Sequence, residues 1–195
     1  MKKYICLSAA FTLVLIWFTG CSGPAAYRTF SSNTGLFSVD LPRSASPMEK
    51  QAREIETSAG AMDMDFYISY GEETIFMIGV LAHGMPEINK DLTMESLLYS
   101  RDMLGENADI TETHEFLLNG RPAVSIRYTK KQGDDNLYAY GVITDIEGIQ
   151  YQIQTAAYDP EVLNRYEAVR FQLSFQYTGG PQERRNSLNS ETVVK

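Results

Sequence analysis

The chain has 195 residues, 44% hydrophobic and 22% charged, which suits one globular domain with its own core and excludes a wholly disordered or fibrous chain. Its formal net charge of -8 at pH 7 offers little to phosphate backbones, so nucleic acid is not an expected partner. The 12 Tyr and 9 Phe point to strands rather than to a helical bundle.

Lys2 and Lys3 precede an apolar run from Tyr4 to Phe18, and the small residues Thr19 and Gly20 stand directly before Cys21. This is a signal-peptide layout, and the run is shorter than the about 20 apolar residues that a helix needs to cross a bilayer core. Phe18-Thr19-Gly20-Cys21 resembles the lipobox of bacterial lipoproteins, which implies a diacylglyceryl group on the Cys21 sulfur and cleavage just before it. Residues 1–20 are then a leader, 21–26 a lipidated N-terminus with a short linker, 27–177 the domain, and 178–195 a disordered tail. Cleavage takes Cys6 with it, so Cys21 is the only cysteine left and no internal disulfide forms. It also removes Lys2 and Lys3 while all 25 acidic residues stay, so the mature chain is more acidic still. Cys21 is followed by Ser22 rather than Asp; by resemblance to Gram-negative sorting rules, this implies the periplasmic face of the outer membrane in such a host. Ser22 to Ala26, fully extended, reach roughly 17 Å, so the domain is expected to ride close to the membrane.

Short strands are expected at Tyr27 to Phe30 and Leu36 to Leu41, the second stopped by Pro42, with a loop from Arg43 to Pro47. Another runs from Glu49 to Ser58. Alternation over Met62 to Tyr70 puts Met62, Met64, Phe66, Ile68 and Tyr70 on one face and Asp63, Asp65, Tyr67 and Ser69 on the other. After the Gly71-Glu72-Glu73 turn, Thr74 to Ala82 is apolar on both faces, the mark of a central strand covered on both sides. A helix is expected from Thr93 to Gly105. Asn119-Gly120 and Glu147-Gly148 read as type I′ turns of two hairpins, Ile110 to Leu118 with Arg121 to Lys131 and Leu137 to Ile146 with Ile149 to Tyr158. A Gly133-Asp134-Asp135-Asn136 turn joins them into a four-stranded meander. Asp159-Pro160-Glu161 opens a helix to Leu173, whose Val162, Tyr166, Val169 and Leu173 form one apolar stripe expected to lie across the sheet.

Chemistry is sparse. Asp63 and Asp65 share a strand face without a third ligand, and His83 and His114 stand apart without zinc spacing, so no metal is expected. There is no G-x-S-x-G elbow, no phosphate-binding glycine loop, and no thiol once Cys21 is acylated; no catalytic residues and no cofactor are expected. The paired acids Glu72-Glu73 and Asp134-Asp135 occupy turn tips, where water keeps carboxylates ordinary. The one suggestive surface is Gln150, Gln152 and Gln154 on one face of a strand, near Ser125, Arg127 and Thr129 of the same meander: either a wet outer face or a ligand or partner surface.

These elements make an α+β fold, one antiparallel sheet of about 6 to 8 strands with helices packed against it. Gly35-Leu36-Phe37-Ser38-Val39-Asp40-Leu41-Pro42 resembles the opening strand of the PsbP-like superfamily. Asn119-Gly120-Arg121-Pro122-Ala123, Gly148-Ile149-Gln150-Tyr151 and Arg170-Phe171-Gln172-Leu173-Ser174-Phe175 resemble the same family. The resemblance implies an α/β sandwich over Tyr27 to Tyr177 and a non-catalytic accessory or assembly role. Membrane attachment through the N-terminal lipid, and another envelope protein as partner, are therefore the expected associations. The competing expectation is a small-ligand or envelope-polymer binding module with an aromatic-lined pocket between sheet and helix.

Overall fold

The computed structural model describes residues 26–57, 60–82 and 108–179. The leader with Cys21, the helix expected from Thr93 to Gly105, His83 and the chain from residue 180 lie outside the described residues.

Ten strands are present among the described residues: β1 (Tyr27–Ser31), β2 (Phe37–Pro42), β3 (Glu49–Thr57), β4 (Gly60–Tyr70), β5 (Ile75–Ala82), β6 (Ala108–Leu118), β7 (Arg121–Gln132), β8 (Asp135–Ile146), β9 (Ile149–Ala157) and β10 (Gln176–Tyr177). A 3-10 turn (Pro160–Asn164) and helix α1 (Tyr166–Leu173) stand between β9 and β10. The strands form two antiparallel sheets, not the single sheet expected: a small one ordered β1-β2-β10 and a large one ordered β3-β4-β5-β9-β8-β7-β6. Alternation in β2 announces a buried face, but it cannot say whether that face joins a sheet or covers one. Here it covers one. Phe37, Val39 and Leu41 point down onto the large sheet, and all three are buried.

Local turn chemistry sets the meander. Asn119 and Gly120 have φ of 52° and 77°, Glu147 and Gly148 of 57° and 80°, as a type I′ turn requires at both central positions. The joining turn is shorter than expected, since Gln132 already pairs with Asp135. β5 is interior to its sheet, as its sequence announces, with β4 on one side and β9 on the other; Phe76, Ile78 and Val80 are buried on one face, while Ile75 and Met77 on the other are half-buried.

The core between the layers is aromatic. Phe37 meets Tyr67 edge-on at 5.2 Å, Tyr151 at 5.9 Å and Phe175 in a stack at 5.9 Å, while Phe76 meets Phe171 at 5.1 Å. Tyr67 and Ser69, read as the polar side of β4, thus face this core, whereas Tyr70 on the opposite side is 54% exposed.

The expected continuous helix from Pro160 to Leu173 is broken at Arg165, whose φ of -68° and ψ of 151° are extended. Asp159 caps the first segment as anticipated, its carboxylate accepting from the Glu161 N–H at 2.9 Å. The break resets the helical phase. α1 buries Ala168, Phe171 and Gln172, leaving Tyr166 66% and Leu173 56% exposed, so the stripe expected against the sheet faces outward beyond Val162. Thr178, placed in the tail by sequence, is tied to the domain: its N–H donates to the Leu36 carbonyl at 2.9 Å and its hydroxyl to that of Gly35 at 2.7 Å.

Candidate partner-binding edge

The three glutamines are not a wet face. β9 is the fourth strand of seven, and Gln150, Gln152 and Gln154 are only 5%, 1% and 3% exposed. They satisfy one another along the strand. The Tyr128 hydroxyl donates to Gln154 Oε1 at 2.6 Å, Gln154 Nε2 to Gln152 Oε1 at 3.0 Å, and Gln152 Nε2 to Gln150 Oε1 at 3.2 Å. Buried amides are tolerated when paired in this way. Gly79 lies opposite Gln152, and a Cβ there would come within 2.1 Å of the Met64 methyl but only to ordinary contact, 3.6 Å, with the Gln152 Cβ, so a side chain at this point would have to displace Met64. Burial without a charged partner pushes the Tyr128 phenol well above its ordinary range.

Arg127 is not beside them. Ladder partners share a face, and Gln154 pairs with Gly141 and hence Ile126, while Arg127 pairs with Tyr140 and hence Thr155. The sequence-derived surface therefore splits into a buried glutamine file on one face and Arg127, Ser125 and Thr129 on the other. Period-two alternation alone cannot show this, because the assignment of faces between strands depends on register.

Arg127 belongs instead to the open edge of the large sheet. β6 pairs with β7 on one side and is the last strand of its sheet among the described residues. Arg127 Nε lies 3.1 Å from Glu112 Oε2, His114 Nε2 lies 2.7 Å from Glu112 Oε1, and the Arg127 guanidinium sits 5.3 Å from the Tyr140 ring centre. The Glu112 carboxyl is held below the usual carboxylate range, first by its hydrogen bond with His114. The sequence did carry a signal for this cluster. Counting back from the Asn119-Gly120 turn places His114 opposite Ser125 and Glu112 opposite Arg127, and the register slips only beyond Glu112. On the other face of β6, Leu117 is 67% exposed. Such an edge can form ion pairs and offers a row of backbone donors and acceptors to another strand.

Other polar and aromatic side chains of the sheet are engaged separately. Asp65 is paired with Lys50 at 2.9 Å. Tyr151 is fully buried and its hydroxyl has no hydrogen-bond partner, whereas Tyr158 is 55% exposed and donates to Gln132 Oε1 at 3.1 Å. Among the described residues no group of three or more His, Cys, Asp or Glu side chains is placed to hold a metal ion.

A concavity of about 460 Å³ lies between α1 and the outer face of the small sheet. Its floor includes Thr29, Ser38, Asp40 and Gln176, and its helical wall includes Tyr166 and Leu173. Asp40 is already engaged, accepting from Arg170 Nη2 at 2.8 Å and from the Thr29 hydroxyl at 3.0 Å, and its own N–H donates to Ser174 Oγ at 2.8 Å.

This two-layer arrangement aligns with the solution structure of cyanobacterial PsbP (CyanoP) from Synechocystis sp. PCC 6803, with a TM-score of 0.50 at 12% identity, covering 81% of this chain and 96% of that one. The fold is PsbP-like. At that identity the likeness concerns the fold alone. A Pseudomonas aeruginosa protein of unknown function, PA94, aligns at 11% identity over 88% of this chain and 98% of that one, with a TM-score of 0.37. No protein-family model matches the sequence, and no curated protein matches it.

Proposed function

We propose that this PsbP-like domain is a non-catalytic accessory module of the bacterial cell envelope, held to the membrane by lipid on Cys21, that docks another envelope protein along β6. The observation that carries the reading is the open edge itself. Eleven residues of strand lack a neighbour on one side among the described residues, and an exposed Arg127-Glu112-His114 cluster stands beside them. Strand addition supplies affinity through main-chain hydrogen bonds, and side chains at the edge select the partner. In a Gram-negative host Ser22 favours the periplasmic face of the outer membrane.

Photo-crosslinking in cells tests this. A crosslinkable residue at Glu115 or Leu117 is expected to capture one envelope protein, which the same group at Glu54 on the opposite edge strand, β3, does not. Equal capture from both edges, or none above an unrelated lipoprotein at matched abundance, would remove β6 as the docking site. Cys21→Ser is expected to abolish acylation and block maturation; a mutant that still matures and stays membrane-bound would contradict the anchor.

A further inference from the structure

Three features converge where the chain enters the domain. Tyr27, the first residue of β1, meets Tyr166 of α1 edge-on at 6.1 Å, and the Arg170 guanidinium lies 4.0 Å from its ring centre. The outer face of α1 is therefore next to the point from which the chain leads back through Ala26 and Ser22 to Cys21. Two large apolar side chains stand out on that face, Tyr166 and Leu173, seven residues and about two helical turns apart. Isolated exposed hydrophobics need no explanation, but a pair on one helix face beside a concavity marks a surface that something covers.

The charges around the entry point are the second feature. Arg43 donates its backbone N–H to the Ala26 carbonyl at 2.9 Å and its Nε to the Tyr27 carbonyl at 3.3 Å. Arg28 donates to the carbonyls of Ala45 and Ser46. These bonds satisfy donors without neutralising charge, and among the described residues neither arginine forms an ion pair with a carboxylate. In the same region Asp40 is paired with Arg170 and Glu73 with Arg165. A chain with net charge -8 thus places the Arg43 cation at the mouth of its own tether, where the Glu167 carboxylate of α1 also lies close enough to raise the Tyr27 phenol. The third feature is the length of that tether: Ser22 to Ala26 can span only roughly 17 Å, which keeps the entry point within that reach of the acylated residue.

We infer that this face rests on the bilayer that holds the acyl chains. Tyr166 and Leu173 enter the interfacial layer, Arg43 faces the headgroup phosphates, and the concavity behind α1 opens toward lipid. An amphipathic tyrosine, a leucine and a flanking arginine suit an interfacial surface, and the short tether holds them at high local concentration against the membrane. Docking of this face would aim the domain, leaving β6 for the partner. The inference rests on lipidation of Cys21.

The test uses the mature, acylated protein carrying Tyr166→Cys, Leu173→Cys or, as a control on β6, Leu117→Cys, each labelled with an environment-sensitive fluorophore. The proteins are placed in vesicles of phosphatidylethanolamine and phosphatidylglycerol containing a lipid spin-labelled at the headgroup. All three positions are more than half exposed, so the labels should leave the fold intact, which circular dichroism checks. Strong quenching and a blue shift at positions 166 and 173, with little of either at 117, is the expected result. If the N-terminal peptide has the mass of an acylated cysteine and the labels at 166 and 173 behave like that at 117, the inference is overturned while the anchor stands. An unacylated N-terminal peptide overturns both.

Discussion

The two sides of β9 differ in chemistry and not in burial. One side presents Tyr151 and Ile153 to the aromatic layer under the small sheet; the other presents Gln150, Gln152 and Gln154 among Met64, Ile143 and Gly79. Both sides are withdrawn from water. On the aromatic side burial is driven by apolar area and ring packing, and it leaves the Tyr151 hydroxyl without a hydrogen-bond partner. On the glutamine side burial is tolerated because each amide passes its donor to the next acceptor in a continuous file. A polar face is therefore not the same thing as an outer face.

The comparison can be broken most forcefully on the aromatic side. Phe37→Ala would remove the ring that contacts Phe30, Tyr67, Tyr151 and Phe175, and it is expected to cost about 3–5 kcal/mol in urea denaturation. A loss under about 1 kcal/mol would mean the small sheet does not hold its place through this residue.

The glutamine side is expected to respond less to a single change, and in a way that depends on what is left behind. Gln152→Leu strips Gln150 Oε1 of a donor and Gln154 Nε2 of an acceptor, for an expected loss of about 2 kcal/mol. Replacing the whole file, with Gln150→Leu, Gln152→Leu, Gln154→Leu and Tyr128→Phe together, is expected to recover most of that loss. Thermal melts of the two variants decide the matter: a quadruple variant less stable than the single one would show that the amides contribute more than mutual satisfaction.

The smallest effect is in alkaline stability. Burial raises the phenol pKa of Tyr128 and of Tyr151 above the unfolded value, so above about pH 10 the unfolded chain loses these protons while the folded chain keeps them. The stability they contribute is complete below about pH 10 and falls by roughly 1.4 kcal/mol per pH unit for each phenol as pH climbs toward the folded values. Tyr128→Phe and Tyr151→Phe should each flatten the slope between about pH 10 and 11 relative to the parent, which also cancels the titration of lysines. An unchanged slope in either variant would mean that its phenol ionises freely in the folded protein.

What was legible in the sequence follows the range of the forces concerned. The turns at Asn119-Gly120 and Glu147-Gly148 were readable because positive φ at two adjacent residues is a local demand with a local signature. β5 was readable because a strand interior to its sheet and largely shielded on both faces is apolar throughout. The pairing of β5 with β9 was not, since it joins residues 67 to 81 positions apart and neither strand encodes its neighbour. The face presented by α1 was misread because a single extended residue, Arg165, shifts the helical phase of everything after it. As for the candidate edge, Arg127 was singled out from sequence with the wrong companions; its true ones, Glu112 and His114, follow from the hairpin register rather than from alternation.

By itself the sequence determined the strands of the meander, the cap at Asp159, the acidic balance and the apolar run before Cys21, all of which depend on neighbouring residues or on composition. Only the tertiary structure decided that β1, β2 and β10 form a separate layer, that the glutamines turn inward, and that Tyr166 and Leu173 turn out. Those outcomes depend on which surface meets which. Alternation records that a strand has two different faces, while water is excluded from a face only by what is laid against it.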